Sequence, residues 1–329
     1  MQQRKLGSRG PRVSALGLGC MGMSDMYGRT DRNESIATIH AALDAGITLL
    51  DTGDFYGMGH NEMLLGEALV DRPRDSYQLS VKFGAQRGPD NSWLGYDARP
   101  AAVKTALAYS LKRLRTDYVD VYRPARLDPQ VPIEDTAGAI ADLAKAGYVR
   151  HFGLSEMGAQ TIQRANSVLP VCDLQIEYSV ISRGIEDRIL PACRELGIGI
   201  TAYGVLARGL ISGHWNKERG TDDRDFRAHN PRFQGDNLTR NLALVEVLRE
   251  LAEQRGVSVA QLVIAWVLAR GSDMVPIPGT KRRSYLEENL AAATLRLAPA
   301  AMARLDATLS PEAIAGPRYN EQMMAYIDR

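Results

Sequence analysis

The sequence predicts an α/β chain closed as a (β/α)8 barrel, on three observations. Eight short β-rich runs alternate with amphipathic helical segments along the 329 residues. Several helical segments end in glycine after a polar last turn, at DAG, KAG and ELG, a common way to stop a helix before the next strand. No linker splits off the second domain that an open doubly wound sheet often carries, so the alternation is most simply closed as a barrel. The chain is therefore read as a single domain over 1–329, the packing of the tail after about residue 310 being left open.

The elements follow in order. RKLGSRGPRVSAL precedes the first unit and suits a small hairpin closing the barrel bottom. The strands are expected at SALGLG (14–19), ITLLDTG (47–53), YQLSVKF (77–83) and DYVDVYR (117–123). Four more are expected at YVRHFGLS (148–155), DLQIEYS (173–179), GITAYGV (199–205) and MVPIPG (274–279). ESIATIHAALDAG, PAAVKTALAYSLKRL and TRNLALVEVLRELAEQRG have helical spacing. Two long polar loops, 84–100 and 206–237, follow strands and so fall on the C-terminal face, where barrel active sites are built.

Composition excludes several classes. Forty Lys+Arg against 39 Asp+Glu leave a net charge of +1, which gives no reason to expect a nucleic-acid or membrane partner. MQQRKLGSRG lacks an apolar signal core, and no apolar run approaches a membrane span. Three dispersed cysteines, Cys20, Cys172 and Cys193, form no CxxC pair and argue against a disulfide framework or a structural zinc. A cytoplasmic protein with a small-molecule partner and no metal is expected; its oligomeric state is left open.

GLGCMG (17–22) fits the G-x-G-x-x-G dinucleotide pattern, but MSDMYGRTDRN after it is turn-like where that motif needs a helix. GLSEMG is one residue too long for a hydrolase nucleophile elbow. DTGDFYG says more: Asp51 ends the second strand, Tyr56 follows in a glycine-flanked loop, and Lys82 ends the third strand. Two readings stand at this point. A phenol, an ammonium and a carboxylate make an acid system in which the cation lowers the phenol pKa. Equally, Lys82 and Asp51 are a buried ion pair with Tyr56 as a core aromatic.

DTGDFYGMGHNEMLLGEAL, SVKFG, GLSE, QIEYS, AYGVLARG and IPGTKRRSYLEENL, in this order, resemble the aldo-keto reductases, over about residues 4 to 290. The resemblance implies a barrel that binds NADPH across its C-terminal face and reduces carbonyl compounds. Tyr56 would be the general acid, tuned by Lys82 and Asp51. Ser155 and Gln175 would hold the carboxamide, and Tyr203 would stack on the nicotinamide. The stretch from Leu206 to Leu210, with Arg208 and Gly209, would wrap the pyrophosphate. Gly279, Thr280, Lys281 and Arg283 would meet the 2′-phosphate, with Glu288 and Asn289 near the adenine. Cys20 and Met21 fall beside the cofactor too. With Tyr27, Phe55, Met58, Phe83 and Trp93 they would also suit an apolar substrate wall, or ordinary loop packing.

Two departures qualify this. The family usually carries a His at the end of the fourth strand; the matching run, Tyr122-Arg123-Pro124-Ala125-Arg126-Leu127-Asp128-Pro129, has Ala125 there. Strand alternation puts Arg123 inward, one layer below Ala125. It either supports the developing oxyanion or pairs with Glu177 on the sixth strand. Glu156 stands where relatives often have Asn. The leading reading is an NADPH-dependent reductase of aldehydes or ketones. Two alternatives are an NADPH-binding redox-sensing subunit with little turnover and a barrel lyase using Lys82 as a Schiff-base nucleophile.

Overall fold

The computed structural model describes residues 1–24, 26–90, 92–215 and 225–328. Strand β1 is Leu18–Gly19, β2 Leu49–Gly53, β3 Gln78–Phe83 and β4 Val119–Pro124. Strand β5 is Val149–Ser155, β6 Val171–Glu177, β7 Gly199–Tyr203 and β8 Met274–Pro276. They lie side by side in chain order, all parallel. A parallel bridge from Gly19 to Gly279 joins the end of β1 to the chain just past β8. The sheet closes on itself, as the alternation predicts.

Every residue of β2, β4 and β6 is buried, because a parallel strand here has helices outside and packed side chains inside. The helices start and stop for local reasons. Asp31 caps Arg32–Asp44 by accepting from the Glu34 N–H at 2.7 Å. The helix Pro100–Leu114 begins on a proline, whose missing N–H costs nothing there. Gly46 and Gly147, at φ 85° and 88°, turn the chain out of their helices as DAG and KAG suggest.

The N-terminal hairpin forms, Gln3–Lys5 against Arg12–Ser14. A Cβ on Gly7 would strike the Cys172 carbonyl and the Gly199 nitrogen, which places the hairpin under the starts of β6 and β7, at the barrel bottom. The loop 84–100 differs from expectation. It holds a second antiparallel hairpin, Ala85–Arg87 with Trp93–Tyr96, on the C-terminal face. The centre of the other long loop, 216–224, lies outside the described residues. The C-terminal tail packs over the barrel: Tyr326 sits 5.4 Å from the Tyr96 ring and 6.2 Å from Trp93. Asp328 accepts from the Gly158 N–H at 2.9 Å. Among the described residues no helix is long and apolar enough to cross a membrane.

Candidate active site

Parallel register brings the site residues to one level. Gly53 pairs with Lys82 across β2 and β3, and Gln175 with Ser155 across β6 and β5. Asp51 is the hub, 3% exposed, and both its oxygens are engaged. Lys82 Nζ donates to Oδ1 at 2.5 Å; Ser80 Oγ and Gln175 Nε2 donate to Oδ2 at 2.8 and 2.6 Å. Tyr56 lies over this group, with Lys82 Nζ 5.0 Å from its ring centroid. A second network fixes the Tyr56 loop. Asn61, fully buried at the start of the helix that follows, accepts from Thr52 and donates to the Cys20 carbonyl and the Ser24 hydroxyl.

The electrostatics differ from the sequence expectation in one respect. Burial, and then the Asp51 charge, push the Tyr56 phenol well above its ordinary value. The Arg126 charge works against this rise, while the Lys82 ammonium is paired with Asp51 and disfavoured by burial. The phenol is therefore a protonated group throughout the neutral range.

Arg123 sits a layer lower and is fully buried. Its partner is Asp173 at 2.9 Å, with the Leu154 carbonyl at 3.3 Å and Ser80 Oγ at 3.0 Å, and not the expected Glu177. The strands of a barrel tilt, so the level of Arg123 on β4 meets β6 at Asp173, two inward positions below Glu177. Burial works against the charge of this guanidinium; Asp173, helped by Asp51, more than offsets it. Bonded in this way, it does not reach the mouth.

The mouth is finished by Glu156, which the sequence singles out, and by Arg318 and Tyr319 of the tail, for which it gives no signal. Glu156, at φ 53° and 1% exposed, accepts from both terminal nitrogens of Arg318 in the tail, at 2.9 and 2.5 Å. It also accepts from the Tyr203 hydroxyl at 2.7 Å and the Glu177 N–H at 2.9 Å. Burial alone would raise the Glu156 carboxyl, but Arg318, and then Arg126, hold it at about 2. Tyr319 meets the Tyr203 hydroxyl at 2.7 Å. Ala125 is buried against Phe83, whose carbonyl accepts its N–H at 2.8 Å. The next side chain, Arg126, reaches the Ala125 carbonyl, Ser155, Tyr203 and Tyr319.

The model of the Aldo/keto reductase family matches residues 15–310. The chain belongs to the aldo/keto reductase family. A probable aldo-keto reductase from Glycine max is 40% identical over 322 residues, covering 97% of this chain and 92% of that one. A glycerol dehydrogenase from Gluconobacter oxydans is 28% identical, with a TM-score of 0.85 over 94% of this chain and 96% of its own. An aldo/keto reductase from Klebsiella pneumoniae, solved with NADP and acetate, is 26% identical, with a TM-score of 0.74 over 97% and 99%.

The positions that the family resemblance assigns to the dinucleotide run along the same face of this aldo/keto reductase. Ser155 and Gln175 lie side by side on β5 and β6, and Cys20 is buried above Asp51, its N–H donating to the Asp51 carbonyl at 3.0 Å. Met21 opens the short helix Met21–Met23 beside it. Past Leu206, three successive residues adopt left-handed φ: Ala207 at 47°, Arg208 at 59° and Gly209 at 96°. Two of them are not glycine, a local cost typical of ligand loops. Arg208 pairs with Glu177 at 3.0 Å. A Cβ on Gly19 would press the Ile277 carbonyl at 3.0 Å, beside the bridge to Gly279. Thr280 accepts from Asn289 at 2.9 Å, both buried, and Glu288 meets His214 at 2.8 Å. Lys281 Nζ donates to the Tyr27, Gly28 and Arg29 carbonyls, and Arg283 pairs with Glu34 at 2.9 Å.

One neighbour of the site makes stability depend on pH. Asp54 is pushed up to about 7, by burial first and then by the Glu62 charge; its Oδ1 has no hydrogen-bond partner. The folded chain thus holds a proton that the unfolded chain releases near pH 4, so stability falls from about pH 4 to 7 and levels off above. Asp54→Asn is expected to gain about 1–2 kcal/mol at pH 8 and almost nothing at pH 4, read from urea midpoints at both.

Proposed function

We propose that this chain is an NADP(H)-dependent oxidoreductase that reduces aldehydes or ketones to alcohols, with Tyr56 as the proton donor. The observation that carries the reading is the buried Lys82–Asp51 pair directly beneath Tyr56 at the C-terminal face of the barrel. The residues suit the dinucleotide: a left-handed backbone loop at 207–209, a close glycine pair at 19 and 279, and cationic Lys281 and Arg283 past β8. NADPH, when bound, supplies the hydride. The protein's share is to bind and orient. Ser155 and Gln175 offer hydrogen bonds to a carboxamide, Tyr203 a ring face, and Lys281 with Arg283 the charge for a 2′-phosphate. Tyr56 keeps its proton until an oxyanion develops above it, while Lys82, fixed by Asp51, faces that developing charge with a cation.

Fluorescence titration with NADPH and NADH, then an aldehyde panel followed at the cofactor absorbance, tests the proposal. Tighter binding of NADPH and its consumption are expected; no NADPH binding overturns it. Because Ala125 offers no donor to the carbonyl, Ala125→His is expected to raise turnover of simple aldehydes about tenfold or more. An unchanged rate would mean that the site does not depend on a donor at this position.

A further inference from the structure

Around the mouth, three guanidinium groups share two carboxylates and a fourth, Arg126, stands beside them. Arg208, Arg232 and Arg318 lie 3.0, 3.8 and 3.8 Å from Glu177, and Arg318 also grips Glu156 at 2.5 Å. Both carboxylates are spoken for, and among the described residues Arg126 makes no ion pair with an acidic side chain. It donates to the Ala125 carbonyl at 2.6 Å; its other contacts are hydroxyls at the outer limit of a hydrogen bond. These are Ser155 and Tyr203 at 3.5 Å and Tyr319 at 3.4 Å. Part-buried Arg126 answers the Glu156 charge only at a distance, so an anion set directly against its guanidinium would give it the close partner that the other arginines already have.

The place of Arg126 says which anion. It follows Ala125 at the end of β4, touches Ser155 and Tyr203, and its charge is felt at the Tyr56 phenol. The phosphate-suited cations Lys281 and Arg283 belong to a different loop, past β8, where their present partners are Tyr27, Gly28, Arg29 and Glu34. The anion at Arg126, beside Ala125, Ser155 and Tyr203, is therefore assigned to the substrate and not to the cofactor phosphates. A planar guanidinium fork matches the two oxygens of a carboxylate.

We propose that Arg126 is the receptor for a substrate carboxylate and that this chain reduces 2-oxo acids, in which the carboxylate adjoins the reacting carbonyl. The inference rests on the reductase reading above and deepens it. The carbonyl carbon takes a hydride from the nicotinamide, its oxygen takes the Tyr56 proton, and a 2-hydroxy acid and oxidised cofactor result. A carboxylate neutralised by Arg126 withdraws electrons from the neighbouring carbonyl, so the substrate itself supplies part of the polarisation that an imidazole at 125 would give.

The test compares phenylglyoxylate with its methyl ester, and benzoate with benzamide, on the wild type, Arg126→Met and Arg126→Lys. Expected are a wild-type kcat/KM preference for the acid over the ester, and its collapse by about a hundredfold in Arg126→Met, mainly through KM. Partial recovery is expected in Arg126→Lys, which keeps the charge without the fork. Equilibrium titration of benzoate and benzamide, with and without NADP+, reads the anion site without turnover; Arg126→Met should abolish the preference for benzoate. Equal handling of acid and ester by the wild type, equal binding of benzoate and benzamide, or a preference that survives in Arg126→Met would overturn the proposal. A wild type that binds benzoate through Arg126 but oxidises NADPH with no carbonyl, neutral aldehydes included, would uphold the anion site and sink the reductase reading instead.

Discussion

Tyr56→Phe is expected to lower the single-turnover rate of NADPH-dependent aldehyde reduction about a thousandfold while leaving NADPH binding nearly intact. The substitution removes one hydroxyl from a ring that is already packed, 6% exposed and edge-on to Phe55 at 4.8 Å. The Asp51 hub beneath it keeps its contacts with Lys82, Ser80 and Gln175, so the loss measures proton donation, which is worth about a hundred- to ten-thousandfold. Since burial keeps the phenol protonated, the wild-type rate should not decline across pH 6–9 through loss of the acid. A loss smaller than tenfold would show that the proton comes from elsewhere.

Asp173→Asn is expected to have the largest effect on stability. Arg123 and Asp173 are both fully buried, and Asp173 also accepts from Thr201. Replacing the carboxylate with a neutral group of the same shape leaves a guanidinium uncompensated in the barrel interior, at a cost of about 3–5 kcal/mol. Urea unfolding of the purified variant checks this. The double variant Arg123→Met/Asp173→Leu should regain much of the loss, because it removes both charges together. If the double variant were no better than Asp173→Asn, the loss would come from packing, not from the orphaned charge.

The strand ends were legible because parallel strands are buried on both faces and bounded by turns; LLDTG, QLSVKF and VRHFGLS fall where the alternation puts them. Asp51, Lys82 and Tyr56 were therefore legible as a group. The partner of Arg123 was not, since inward alternation gives the face of a strand but not the level at which a tilted neighbour crosses it. Glu177 was misassigned for the same reason: it belongs to the mouth, with Arg208 from a loop and Arg318 from the tail. Nothing in the spacing of Arg318 and Tyr319 tells that they return to β5 and β7, because such contacts depend on the path of a chain with little regular structure. Arg126 carried a readable cue, a charged residue next to the vacant position 125, but its orientation came only with the fold. The hairpin at 85–96 escaped because WLGY and AQR lack the alternation that marks a half-buried strand.

The tail's return across the barrel mouth has a practical side. Arg318, Tyr319 and Tyr326 end up beside the chemistry, whereas the N-terminal hairpin is clamped beneath the starts of β6 and β7 at the opposite pole. A purification handle, fluorophore or surface tether fused after residue 328 would tug on the ceiling of the reaction chamber. The same attachment at residue 1 would leave that chamber facing outward into solution. Assays made with the two kinds of fusion are therefore not interchangeable, and kinetics should be compared only between proteins modified at the same end.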